Sequence, residues 1–386
     1  MSQDSRQINL NQLMTLGILF LIGGSALTST ARYAGQNVWI VILIGALIGM
    51  LLFAMHFRMS KLHDYQGLPQ ICTNCLGKPI GKILLFIYGC FFFFRTLNTG
   101  NFMTQMVQQT LMSGVHTRLI VFLMLSTVLI AVIHGLNAFS RSSEILIVLV
   151  LISLLPFLLS IFSSGVFKTE NLIPILSDGL PGIGKDSVRV AMLPFGELFV
   201  FLMLMPYIKT KEKAQSSIFK RMMVAIVIAT VIMIAIDLTT IALIGSQLTG
   251  NFEYSFFNAM QLAGIKGFLE RLDPLAIVIM VFSEYFKLAI YFIASLLAFE
   301  ALHEKINIKW VIAILGVLVF MIAPIIDIEN LHFTLETMPF IILPIFHVAI
   351  PFLLYVISEI KYRKKHQSAS PPIATHSPSA SSLSST

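Results

Sequence analysis

The sequence predicts an all-α polytopic membrane protein of about ten transmembrane helices. Of its 386 residues 56% are apolar and only 12% charged, and mean hydropathy is +0.86. A water-soluble globule cannot hide that much apolar surface, so the bilayer must be the solvent. The apolar residues come as unbroken runs of about 18 or more rather than alternating segments of about ten, which selects helices over barrel strands. The 31 phenylalanines suit lipid-facing and interhelical packing.

The first run begins near Leu10, after the single basic residue Arg6. It continues for about 22 residues, too long for a cleaved signal core, and is expected to be retained. Ten spans follow from cutting the chain at charged and turn-forming clusters: 10–31, 38–58, 80–109, 117–137, 143–163, 188–207, 219–247, 272–301, 308–327 and 336–358. Several exceed the roughly 20 residues that cross a 30 Å core, so they must tilt or project. A cytoplasmic N-terminus (1–9) precedes the membrane domain (10–360), and 361–386 forms a tail. From His366 onward the tail is rich in Ser, Pro and Ala and is expected to be disordered, with the basic cluster Lys361–Lys365 held near anionic headgroups. The longest external loop, Gly165 to Ser187, has room for a short surface helix.

Basic residues set the orientation. Seventeen fall on one side, in groups around Arg6, Arg58–Lys82, Arg141, Lys209–Arg221, Lys305–Lys309 and Lys361–Lys365, against seven on the other. This asymmetry places both termini in the cytoplasm. It also accounts for the net charge of +7 without nucleic acid as a partner.

Cys72, Cys75 and Cys90 are too few for a disulfide framework. The C-x-x-C pair lacks a second ligand pair, so it is expected in a membrane-surface loop without metal or cofactor. Neither H-E-x-x-H nor a nucleophile elbow occurs; no catalytic residue is assigned and an enzyme is not expected.

Two spans are interrupted. Gly23-Gly24-Ser25 breaks the first and Pro194-Phe195-Gly196-Glu197 the sixth. Proline removes an intrahelical hydrogen bond and glycine leaves helical angles cheaply, so backbone groups at membrane depth must find other partners: neighbouring helices, water or a solute. Breaks five spans apart indicate a 5+5 inverted repeat, with halves 10–163 and 188–358. Half-helix ends carry partial charges of both signs, which suit a zwitterion such as an amino acid. The competing reading is a pair of packing kinks.

Ionisable residues at depth are costly unless paired or wet. They are Arg95, Glu197, Asp237, Glu284 and Lys287. Glu284 and Lys287 share a helix face and are candidates to neutralise one another. Glu197, just beyond a break, suits a cation, a ligand ammonium or a proton; alternatively it pairs with Arg95. Asn98, Thr99 and Asn101 add a polar stripe beside Arg95, either facing a cavity or bonding between helices.

Several stretches resemble the transporter-like B subunits of bacterial spore germinant receptors. They are Ala34-Gly35-Gln36-Asn37-Val38-Trp39-Ile40, Arg141-Ser142-Ser143-Glu144, Asn171-Leu172-Ile173-Pro174, Leu193-Pro194-Phe195-Gly196-Glu197 with Met205-Pro206-Tyr207, and Phe268-Leu269-Glu270-Arg271-Leu272-Asp273. The similarity runs from about Ile8 to Ile360. It implies a LeuT-like fold of the amino acid, polyamine and organocation transporter superfamily, in the inner membrane of the spore. It also implies A and C subunit partners and detection of a small nutrient such as an amino acid. The alternative is a proton-coupled amino acid symporter of the same superfamily. The ligand site implied lies at Gly23, Gly24, Ser25, Pro194, Phe195, Gly196 and Glu197, with Asn98 and Glu284 as further candidates. Arg95, Asp237 and Lys287 are coupling or structural charges.

Overall fold

A computed structural model describes residues 7–24, 29, 31–112, 114–163, 168–174, 180–209, 215–263, 271–302, 308–324 and 333–369. Among these the chain is helical, and one isolated bridge is the sole extended pairing. The helices are α1 (Leu10–Ile22), α2 (Val38–Leu62), α3 (Leu68–Leu76), α4 (Lys78–Thr110), α5 (Thr117–His134), α6 (Leu136–Ser163), α7 (Leu180–Val190), α8 (Gln215–Ile244), α9 (Ser246–Asn251), α10 (Ser255–Leu262), α11 (Asp273–Leu302), α12 (Ile308–Ile322) and α13 (Ile350–Ala369). Seven described helices are long and apolar enough to cross a membrane, and Leu10–Ile22 and Ile308–Ile322 are shorter apolar helices. Leu51, Ile145, Val231 and Trp310 are exposed on the outside of the bundle, as expected where lipid is the solvent.

α1 starts at an Asn9 cap. The Gln12 N–H donates to Asn9 Oδ1 at 2.8 Å and the Asn9 N–H to Gln12 Oε1 at 3.0 Å, satisfying two backbone donors reciprocally. α1 then packs at the centre against α6, α8 and α11, while α11 runs along α4. α6 begins at Leu136, not at 143 as its polar Arg141–Glu144 run suggests. That run is helical because its polar groups find partners: Ser143 Oγ lies 2.6 Å from Thr15 Oγ1, and Gln12 Nε2 donates to Glu144 at 3.4 Å.

The Cys72–Cys75 stretch likewise is no plain loop but the short helix α3, laid against α4. Burial pushes the Cys72 thiol up to about 12, so it stays protonated and inert. The Lys361 ammonium donates to the carbonyls of Asn74 (2.7 Å) and Cys75 (3.0 Å) at the end of α3, where a cation complements the helix terminus. α13 extends to Ala369, so the basic cluster and His366 are helical; 370–386 lie outside the described residues.

From α7 the chain passes into wide, π-like turns over Ala191–Phe195 and tight 3-10 turns over Gly196–Met203. Its far end is stitched to the start of α1: Ile8 N–H donates to Tyr207 O, and Lys209 N–H to Ile8 O, both at 2.8 Å. At its near end Arg189 pairs with Asp186 and with Glu336 (2.6 Å), and Lys185 pairs with Glu336 (2.9 Å). The Arg189 guanidinium also lies 5.0 Å over the Tyr33 ring.

Two glycines of α2 let this segment approach. A Cβ at Gly49 would fall 2.3 Å from Phe195 Cβ, and one at Gly45 2.6 Å from Val190 Cγ1. Small residues four apart allow this backbone contact in an apolar helix. Gly49→Leu is therefore expected to cost about 3 kcal/mol, the upper end of the usual range for overpacking. Thermal unfolding in detergent reads the loss, with Gly184→Ala, which opens onto empty space inside a helix, melting no lower than the parent; equal melting of parent and Gly49→Leu would refute the contact.

Candidate functional site

α1 has 13 residues, a rise of about 20 Å, which is shorter than a hydrocarbon core about 30 Å thick. Gly23 leaves helical angles (φ −55, ψ 134), and Gly24 follows at φ +72. Glycine is required at both. A Cβ on Gly23 would sit 2.7 Å from the Ser283 carbonyl oxygen of α11, and Gly24 is left-handed with Glu284 Oε2 only 3.2 Å from its would-be Cβ. In the other segment Leu193 is extended (φ −124, ψ 112), immediately before Pro194. Ser25 lies outside the described residues.

Between these departures sits a buried charge group. Glu197 is fully buried and accepts from the Arg95 guanidinium of α4 through Oε1. The Lys287 ammonium of α11 stands 2.6 Å from Glu197 Oε2, as an ion pair whose angle falls outside hydrogen-bond geometry. Lys287 also reaches the Gly23 carbonyl at 3.5 Å and lies 5.6 Å over the Phe20 ring. Arg95 donates to Asn98 Oδ1 at 3.0 Å, contacts Met338 Sδ at 3.4 Å and stacks 5.1 Å over the Tyr291 ring. Glu284 borders Gly23 and Gly24.

Two pairing alternatives are thereby decided. Glu197 does pair with Arg95, and with Lys287 as well; Lys287 is therefore taken by Glu197 rather than by its helix neighbour Glu284. The reason is reach: Glu197 lies at the centre, where the two cations share it, whereas Glu284 faces the end of α1. Asp237 on α8 is buried, faces the Ser29 hydroxyl and makes no ion pair among the described residues, so it is not joined to the other charges. Thr96 and Thr104 in the polar face of α4 bond back to the carbonyls of Phe92 (2.9 Å) and Gly100 (2.8 Å). Phe195 packs on Gly49, away from a purely ligand-facing role, and Gly196 lies close to His347 Nδ1.

Several buried polar atoms in this neighbourhood have no hydrogen-bond partner among the described residues: Arg95 Nε, Ser283 Oγ, Glu284 Oε2, Tyr291 OH and His347 Nδ1. Native interiors satisfy nearly all such atoms, so their concentration around one charge group sets this neighbourhood apart from the rest of the described interior. Sequence reasoning overlooked Phe20, Ser283, Tyr291, Met338 and His347. Tyr291 was within reach, because Glu284, Lys287 and Tyr291 stand at i, i+3 and i+7 on one helical face.

Removing one partner of a buried ion group strands the others. Glu197→Gln is expected to lower stability by about 3–5 kcal/mol, and pairing it with Lys287→Gln should recover part of that loss. Thermal unfolding of both proteins checks this; a single variant as stable as the parent would show that the three charges do not depend on one another.

Over residues 7–331 the chain matches the family described as spore germination protein. Its relatives in Bacillus subtilis strain 168 include spore germination protein KB, 22% identical over 95% of this chain and 98% of that protein. Spore germination protein YndE is 23% identical over 93% and 95%, and spore germination protein A2 is 24% identical over 94% and 99%. Among solved structures, Mhp1, a nucleobase-cation-symport-1 family transporter in a closed conformation with bromovinylhydantoin bound, superposes with a TM-score of 0.58 at 13% identity, covering 95% of this chain and 92% of that one. That likeness is one of fold: an all-helical, permease-like membrane architecture. The chain therefore belongs to the spore germination protein family, that of the transporter-like germinant-receptor B subunits.

Proposed function

We propose that this protein is the nutrient-sensing subunit of a spore germinant receptor, and that it binds a small polar germinant, an amino acid, between the end of α1 and the 191–197 segment. One observation carries the reading: two chain segments that leave helical geometry meet at a buried group of four charges in which several polar atoms lack hydrogen-bond partners among the described residues. On this reading the membrane domain is 10–360, its ten spans form a 5+5 inverted repeat of halves 10–163 and 188–358, and both breaks lie near the midplane. The protein sits in the spore inner membrane with both termini cytoplasmic, as its basic residues favour, and acts with A and C subunits. Gly23, Gly24, Ser25, Asn98, Pro194, Phe195, Gly196, Glu197 and Glu284 form the site; Arg95, Asp237 and Lys287 hold or couple charge. Occupancy favours one arrangement of the bundle to the extent that the ligand binds it more tightly than the other.

A proton-coupled amino acid symporter is the second reading, favoured by the fold shared with Mhp1. Spores lacking the gene, and the same spores complemented, are to be exposed to single L-amino acids and single sugars. Loss of the response to an amino acid is the expected result; undiminished responses to every amino acid would remove the assignment. Labelled amino acid added to proteoliposomes then separates the two readings, since sustained concentrative uptake belongs to a symporter.

A further inference from the structure

Within that amino acid reading, the two buried carboxylates are not equivalent. Both oxygens of Glu197 are engaged, Oε1 by Arg95 and Oε2 by Lys287. Glu284 is 2% exposed, and its Oε2 has no hydrogen-bond partner among the described residues. This oxygen faces the end of α1, 3.2 Å from the positions a Cβ would take on Gly23 and on Gly24. The unpartnered Ser283 hydroxyl belongs to the adjacent residue.

Two cations, Arg95 and Lys287, and two anions, Glu197 and Glu284, sum to zero. A guest with net charge would leave a buried charge uncompensated, which the membrane interior penalises heavily. A net-neutral zwitterion adds none. Its ammonium brings donors only, and so needs acceptors such as a carboxylate oxygen and the carbonyls released where a helix ends. Its carboxylate needs donors, and the Arg95 Nε, which no described residue accepts from, lies in the same group.

We propose that Glu284, through Oε2, is the residue that receives the ammonium of a zwitterionic ligand at the end of α1, while Glu197 is a positioning residue held in ion pairs by both Arg95 and Lys287. The site therefore selects amino acids with uncharged side chains over those with charged ones, and over α-hydroxy acids, which lack the ammonium.

Full-length protein in nanodiscs tests this by thermal shift, with each uncharged L-amino acid in turn, L-lysine, L-glutamate, and L-lactate as the hydroxy counterpart of L-alanine. The expected result is stabilisation by one or more uncharged amino acids and none by lysine, glutamate or lactate. Glu284→Gln, which leaves the buried group one positive charge in excess, should melt lower than the parent without ligand and bind that amino acid at least tenfold more weakly, with Glu284→Asp retaining part of the affinity. Unchanged affinity in Glu284→Gln, or equal binding of lysine or lactate, overturns the proposal while leaving the amino acid reading intact. If no amino acid stabilises the parent protein, that reading fails and this proposal with it. Should Glu284→Gln not fold, modification of Glu284 in the parent by a hydrophobic carbodiimide, followed by mass spectrometry, replaces it: slowing by the bound amino acid supports the assignment, and an unaltered rate rejects it.

Discussion

One carboxylate shared by two cations organises the interior. Arg95 on α4 and Lys287 on α11 converge on Glu197, whose segment is neither a regular α-helix nor a strand. At 2.6 Å and an effective dielectric near 20, such a pair is worth about 6 kcal/mol. Desolvation costs several kcal/mol for each ion, so attraction and penalty nearly cancel. The group therefore fixes where three elements sit relative to one another more than it adds stability. Once α4, α11 and the 196–203 segment are held this way, the end of α1 has a defined neighbour in Ser283 and Glu284, and glycine becomes the residue that fits there.

The bilayer dictates the rest by subtraction. In a buried interior each backbone group released at Gly23 or Leu193 must be met by another group. The Lys287 ammonium at the Gly23 carbonyl is one such partner. Ser283, Glu284, Tyr291 and His347 each keep an atom that no described residue meets.

Much of this was legible in the sequence because it rests on local chemistry. Long apolar runs declare helices in lipid, and Gly23-Gly24 and Pro194 declare where a helix cannot continue. The identities of the buried charges were equally plain. Their pairing was not: the i, i+3 spacing of Glu284 and Lys287 suggests a local pair, whereas the cation answers to a carboxylate far away in the chain. The start of α6 was misjudged for the same reason, since a polar run reads as a loop until Thr15 and Gln12 on α1 are known to face it. Aromatic residues such as Phe20 resemble lipid-facing side chains in a sequence and reveal themselves only beside a buried ammonium.

The paired strands of backbone at Ile8 and Ile208 make the beginning of α1 and the end of the 191–207 segment one mechanical joint. The opposite end of that segment is moored separately, because Arg189, just ahead of it, is tied to Asp186 and Glu336.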